Sequence, residues 1–358
     1  MPKRAADGTG DARKRATVKE VAARAGVSTA TVSRVLGGTY PVAAGTRIRV
    51  QRALQELDYV MNASARALGN TTSNTVAFVV ADVTGPFFAH IARGVEQQAT
   101  AEGRLCLVCT THSDPDRELA VINLMREQRA EAVILVGGAV LTPEYTERMV
   151  KLAHALDSDG SRLVLCGRPS LGPDIPETVV EYDNEGGAFA MTNYLLSQGH
   201  TRIVLLGVEG HTTAAERVAG YRRALESRGV PFDPELVVPG VHTRASGHAA
   251  TLELLSRGTE FTAVFAVTDM IAAGVLKALR QAGVRVPEDV SVVGYDDIPL
   301  AMDLDPELTT VHVPHEELGR TAVRLALHRA NHPVQHIKMA THVLVRESSG
   351  PVSAWSTS

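Results

Sequence analysis

From residue 75 onward the chain repeats one pattern, and that pattern leaves few folds open. Short, continuous apolar runs lie at 76–81, 105–110, 132–136, 163–166, 203–207, 263–267 and 291–294. Amphipathic stretches fill the gaps, near 87–102, 115–128, 143–155, 185–198, 214–228, 245–257, 269–282 and 315–330. Strands apolar at every position are buried on both faces, and strands alternating with helices form parallel sheets. The units are too many for one compact sheet of ordinary size. The pattern therefore predicts an α/β body of two doubly wound parallel sheets, with a ligand cleft where strand ends face each other.

The start of the chain reads differently. Residues 1–16 carry Gly, Asp, Arg and Lys with no periodicity and read as a disordered basic tail. Thr17-Val18-Lys19-Glu20 is a capping box, and Val18, Val21, Ala22 and Ala25 follow at helical spacing. Gly26 suits a left-handed stop, and Ser28 caps a second helix over 29–36. A third helix is expected from about Thr46 to Leu57, burying Ile48, Val50, Leu54 and Leu57. Short helices with a tight Ala-Gly-Val-Ser turn make an all-α helix-turn-helix head. Charge agrees: residues 1–66 hold twelve Lys/Arg against five Asp/Glu, so +7, and the remainder is −4 − 7 = −11. A basic head on an acidic body confines nucleic-acid contact to one end.

In such a head the first residues of the second helix meet base edges. Thr29 can donate or accept, Ala30 offers a methyl to a thymine methyl, and Arg34 reaches a guanine or a phosphate. Thr17, Ser28, Thr31, Ser33 and Thr46 are hydroxyls near helix starts, placed for phosphate oxygens. A short helix follows between Asn62 and Gly69, too short to be stable alone in water.

No apolar run approaches the ~20 residues of a membrane span. The basic N-terminus lacks the apolar stretch of a secretion signal, so a cytoplasmic location is expected. Cys106, Cys109 and Cys166 lie in strand-like runs and read as buried, reduced thiols, because no second cysteine pair exists to complete a zinc site. No catalytic residue, metal or cofactor is expected: Asp82-Val83-Thr84-Gly85-Pro86 is no phosphate loop, and His312 and His315 look isolated, as surface or hinge residues.

The segments TVKEVAARAGVSTATVSRVL and TRIRVQRALQELDYVMNASARAL resemble the head and hinge of the lactose/galactose repressor (LacI/GalR) family. GPFFAHIARGVEQQA, YDNEGGAFAMTNYLLSQGH, ERVAGYRRAL, RVPEDVSVVGYDDIPLA and LTTVHVPHEELGRTAV continue the resemblance in family order, from about residue 17 to 347. It implies a homodimer that binds a pseudo-palindromic operator. Paired hinge helices would sit in the minor groove, with Asn62 and Ala65 on the DNA side and Leu68 wedging a base step. The body would be periplasmic-binding-protein-like and would take a small polar effector, a sugar or a purine-type corepressor.

The resemblance places Phe87 and Phe88 as the aromatic pair that stacks on ligand, with Phe87 the better candidate. Arg168 and Arg217 match ligand-bonding arginines, and Asp296 the acid that accepts from ligand. Asp82, His211, His242 and Thr268 complete the candidate set. Gly167, Thr268, Val313 and His242 replace residues common in the family, so the sugar's identity stays open. The resulting division is 17–61 head, 62–73 hinge, 74–347 body and 348–358 flexible tail. Within the body, the N-lobe is expected at about 74–177 and 309–336, and the C-lobe at about 178–308 and 337–347. The tail carries no leucine heptad, so a dimer rather than a tetramer is expected. A solute receptor would need an export signal and would lack the head.

Overall fold

The computed structural model of the chain describes residues 16–37, 41–59, 73–328 and 335–352. It divides into two units, Met1–Ser73 and Asn74–Ser358. The basic tail through residue 15 and the hinge positions Asn62, Ala65 and Leu68 lie outside the described residues.

In the first unit, helices α1 (Val18–Ala25), α2 (Thr29–Gly37) and α3 (Ala44–Glu56) pack together. The capping box forms: the Thr17 hydroxyl accepts from the Glu20 amide at 3.3 Å, and the Thr17 amide donates to the Glu20 carboxylate at 2.6 Å. Gly26 ends α1 at φ 66°, a conformation glycine adopts without strain. Ser28 Oγ accepts from the Thr31 amide at 3.2 Å and starts α2. Val21, Ala22, Ala25, Val32, Val50 and Ala53 are the buried core. Ile48, expected in that core, is 64% exposed. It lies two residues from Val50, and that spacing points to the opposite side of a helix.

The second unit holds two parallel sheets. The first has six strands in the order β11-β5-β4-β3-β1-β2. These are β1 (Thr75–Val80), β2 (Leu105–Thr110), β3 (Ala132–Val136), β4 (Arg162–Cys166), β5 (Glu177–Tyr182) and β11 (Gln335–Met339). The second has four, in the order β7-β6-β8-β9: β6 (Ile203–Val208), β7 (Val237–Pro239), β8 (Ala263–Ala266) and β9 (Ser291–Val293). An antiparallel pair, β10 (Thr310–His312) with β12 (His342–Leu344), stands apart, tied to the end of β9 by bridges at Thr309 and His312. In each sheet the order reverses beside one strand, β1 in the first and β6 in the second, and the crevice at such a point receives ligands.

Two boundaries differ from the sequence reading. β5 and β11 both belong to the first sheet, so the N-lobe runs past residue 177 and takes in 335–339. Charged residues hide this strand: Glu177 and Glu181 are buried in β5, and Glu177 Oε1 accepts from the Ser170 hydroxyl at 2.7 Å and the Leu171 amide at 2.9 Å. Residues 348–352, expected as the start of a flexible tail, are docked. The Ser348 hydroxyl donates to Val292 O at 2.6 Å, and the Val352 amide bonds Gln198 O at 2.9 Å.

Close helix contact joins the returning chain to the first lobe. A Cβ on Gly94 would stand 2.1 Å from the Glu316 carbonyl, and one on Gly319 2.3 Å from that of Ile91. The helices Pro86–Ala101 and His315–Leu327 approach this closely because both positions are glycine. Cys166 is buried, but Cys106 and Cys109 are only half-buried. They lie on β2, a sheet edge with Leu105 63% and Val108 53% exposed. Burial still raises the Cys106 thiol to about 11, so it stays protonated. Among the described residues no helix is long and apolar enough to cross a membrane.

Candidate functional site

In the head, α2 buries Val32 and turns Thr29, Ala30, Ser33 and Arg34 outward. Their spacing i, i+1, i+4, i+5 keeps them on one side of the helix. Ser28 and Thr31 hydroxyls lie 2.9 Å apart at its start. Thr17 is exposed beside the start of α1, and Thr46 lies in the first turn of α3, where Arg49 donates to it at 3.4 Å. The result is an exposed rim of hydroxyls, a methyl and a guanidinium. Ion pairs Arg24–Glu56 at 2.7 Å and Arg52–Glu56 at 3.0 Å brace α1 to α3 and α3 to itself.

In the body, a cleft of about 430 Å³ opens between the two sheets. The structure brings all nine sequence-expected cleft residues to its wall. They arrive at the carboxyl ends of strands. Asp82, Phe87 and Phe88 follow β1, Arg168 follows β4, and His211 follows β6. His242 follows β7, Thr268 β8 and Asp296 β9. Arg217 rises from the helix Thr212–Ser227 that begins beside the cleft.

The aromatic wall is Phe87, edge-on to Phe88 at 5.4 Å and tilted to Tyr182 at 5.9 Å between ring centres. Behind it His315 meets Phe87 edge-on at 5.0 Å. His315 is buried, not a surface residue, and burial with the nearby His90 and His312 lowers it to about 3. His312 is not isolated either: its Nδ1 stands 2.8 Å from Asp297.

Arg168 is held by its own lobe. Nε donates to Gly137 O at 2.6 Å, and the two Nη donate to Glu118 at 2.7 and 2.8 Å. Tyr145 donates its hydroxyl to the same carboxylate. Burial alone would raise Glu118, but the Arg168 charge together with the hydrogen bonds from Arg168 and Tyr145 outweighs it and holds the carboxyl below its ordinary range. Glu118 and Tyr145 escaped the sequence reading. Glu118 shares one helix face with Ile122 and Met125 at i, i+4 and i+7, and a carboxylate on an apolar face was the available signal.

Arg217, on the other lobe, is held just as firmly, by partners from both lobes. It donates to Asn184 Oδ1 at 2.9 Å, to the Val267 carbonyl, and to Tyr182 Oη and Asp296 Oδ1 at 3.3 Å each. Its guanidinium lies 3.6 Å over the Tyr295 ring. Asp296 is buried, and burial raises its carboxyl to about 7 against the pull of Arg217. Its backbone sits at φ 112°, a region that L side chains avoid, fixed by the Asp296 amide on Val311 O at 2.9 Å. Strain of this kind gathers at binding sites. Asp269 lies behind it, raised by burial and by the Asp296 charge.

The remaining candidates are smaller. Asp82 accepts from the Thr84 amide at 2.8 Å and its hydroxyl at 2.9 Å, and those bonds hold it below the ordinary carboxylate range. Thr268 Oγ1 caps the helix Asp269–Gln281. His211 Nε2 lies 3.0 Å and His242 Nε2 3.9 Å from one Glu209 oxygen. Burial lowers His242 to about 4, so it is neutral at pH 7. Among the described residues no group of His, Cys, Asp and Glu is arranged to hold a metal.

Known proteins share this layout. The model of bacterial regulatory proteins of the lacI family matches residues 17–62, and that of a periplasmic binding protein-like domain matches 192–349. The HTH-type transcriptional regulator CelR of Thermobifida fusca is 38% identical over 346 residues, 94% of this chain and 99% of that one. The HTH-type transcriptional repressor PurR of Aliivibrio fischeri (strain MJ11) is 34% identical over 340 residues, 93% of this chain and 98% of that one. A solved CelR–cellobiose complex superposes with a TM-score of 0.68 at 36% identity, over 93% of this chain and 100% of that chain. The chain belongs to the LacI family, and it is a DNA-binding transcriptional regulator.

Proposed function

We propose that two copies of this chain bind a pseudo-palindromic operator and that a carbohydrate in the cleft sets their affinity for it. Thr29, Ala30 and Arg34 read bases, and the hydroxyls of Thr17, Ser28, Thr31, Ser33 and Thr46 position phosphates. In the cleft, Phe87 offers an apolar face, and Asp296, Arg168 and Arg217 surround it with polar groups. Such a mixed wall suits the faces and hydroxyls of a sugar ring. The observation that carries the reading is this cleft, shared between two lobes in a chain that also bears a DNA-reading head. The cellobiose bound by the CelR relative supports the ligand class. The work is binding rather than catalysis, and its place is with the chromosome, in the cytoplasm. A ligand shifts the operator equilibrium only through unequal affinity for two states, and one that grips both lobes favours closure. The test has two arms. Selection from random DNA should return a two-fold symmetric site, and thermal shift with glucose, ribose and cellobiose should show stabilisation. An asymmetric site, or no shift with any sugar, contradicts the reading.

A further inference from the structure

The cleft wall carries two guanidiniums, on Arg168 and Arg217, against five carboxylates, on Asp82, Asp114, Glu118, Glu209 and Asp296. Each guanidinium is already committed. Arg168 bonds Glu118 through both Nη, and Arg217 bonds Asp296 and Asn184 in its own lobe and Tyr182 Oη across the cleft in the other. A fork occupied in this way has no paired donors left for a carboxylate or a phosphate. With those two pairs set aside, Asp82, Asp114 and Glu209 are the carboxylates left to face a ligand.

These three differ in what holds them. Asp82 is bonded by Thr84, and Asp114 is a helix cap that accepts from the Asp116 and Arg117 amides at 2.9 and 3.2 Å. Glu209 accepts no hydrogen bond from backbone amides or hydroxyls among the described residues. It meets only the imidazoles of His211 and His242, at 3.0 and 3.9 Å. Nδ1 of His211 and Nε2 of His242 are themselves buried without a hydrogen-bond partner. Unsatisfied buried polar atoms at a cleft wall are groups that a ligand can satisfy.

We propose that Glu209, flanked by His211 and His242, is the specificity-determining residue of this cleft, and that it admits neutral or ammonium-bearing carbohydrates while excluding phosphorylated and carboxylated ones. This rests on the reading that the cleft takes a carbohydrate. A sugar hydroxyl or ammonium donates to Glu209, and the two imidazoles bond neighbouring oxygens. A phosphate or carboxylate at the same place faces a carboxylate with no Arg or Lys partner among the described residues, and finds no open guanidinium.

Calorimetric titration and thermal shift of the full chain with glucose, cellobiose, glucosamine, glucuronate and glucose 6-phosphate test this. Glucose or cellobiose, and glucosamine, should stabilise the protein; glucuronate and glucose 6-phosphate should not. In Glu209→Gln the affinity for glucuronate relative to glucose should rise by about threefold or more, because one opposing charge is gone. A melting temperature for the ligand-free variant close to that of the parent shows that the fold is kept, and Asp114→Asn should move the ratio less. Binding of glucuronate or glucose 6-phosphate as tight as that of the neutral sugars overturns the inference and leaves the carbohydrate reading standing. A Glu209→Gln ratio equal to the parent's overturns the assignment to Glu209. No response to any of the five sugars removes both.

Discussion

In the head, Thr29, Ala30, Ser33 and Arg34 stand exposed on a helix whose other side rests on a small apolar core. In the cleft, Arg168 and Arg217 are less than a tenth exposed and bonded on every nitrogen. The same residue type therefore does different work in the two regions. A side chain on the head rim can change with little effect on folding, because exposed polar contacts there are worth little. A charged side chain in the cleft wall cannot lose its partner without leaving a buried charge behind. Recognition and stability are separable in the head and entangled in the cleft.

The largest effect should come from breaking the cleft's own ion pair. Glu118→Ala leaves Arg168 buried without its carboxylate and should destabilise the body by about 3–5 kcal/mol in denaturant melts. A loss below about 1 kcal/mol would mean that water reaches Arg168 and that the two regions are alike. The converse change, Arg34→Ala on the head rim, should weaken operator binding by about 1–3 kcal/mol while stability moves by no more than about 0.5 kcal/mol. Operator titrations and melts on the same protein check both halves.

The reach of the sequence follows the same division. Head features depend on neighbours three or four residues apart, so Thr17, Gly26, Ser28 and the outward set on α2 could be read directly. Ile48 was misplaced only by helix phase. The nine cleft positions came from the family resemblance, and the apolar runs added only that strand ends would face one cleft. What spacing does not encode is partnership over distance. Glu118, which holds the Arg168 fork from fifty residues earlier in the chain, could not be paired with it from spacing. β5 was hidden by its buried Glu177 and Glu181, whose compensation lies in the fold. The docking of Ser348 on Val292 likewise leaves no mark in local sequence.

Proton linkage sharpens the contrast, because the shifted groups of the cleft pull in opposite directions. Asp296 is raised to about 7, from an unfolded value near 3.9. A raised carboxyl favours the fold while protonated, so its contribution is full below about pH 4 and is lost as pH climbs to about 7. His242 is lowered to about 4, from about 6.5 unfolded. Its contribution is full above about pH 6.5 and is lost as pH falls toward 4. In denaturant melts between pH 4 and 8, Asp296→Asn should flatten the decline toward pH 7, and His242→Gln the decline toward pH 4. Each change should be on the order of 3–4 kcal/mol. Unchanged slopes in both variants would mean that these groups are solvated like those of the head. The smallest effect belongs to the head's own cap: Thr17→Ala should cost about 1 kcal/mol of head stability and leave ligand affinity unaltered. Separate melting of the head, followed by far-UV circular dichroism, resolves it.

The central claim is that one chain carries a DNA-reading site and a ligand site that can be disabled separately yet act on each other. The most direct measurement is an operator titration of the parent and of Asp296→Asn, with and without the sugar that most raises the parent's melting temperature. Asparagine tolerates a positive φ better than most side chains, so the strained backbone at position 296 is kept. The parent's operator affinity should change by about 5–150-fold with the sugar, the usual range of such coupling. Asp296→Asn should bind operator as the parent does without sugar and should lose most of the response. A variant that responds to the sugar as fully as the parent would contradict the account, because Asp296 would then take no part in the link between cleft and head.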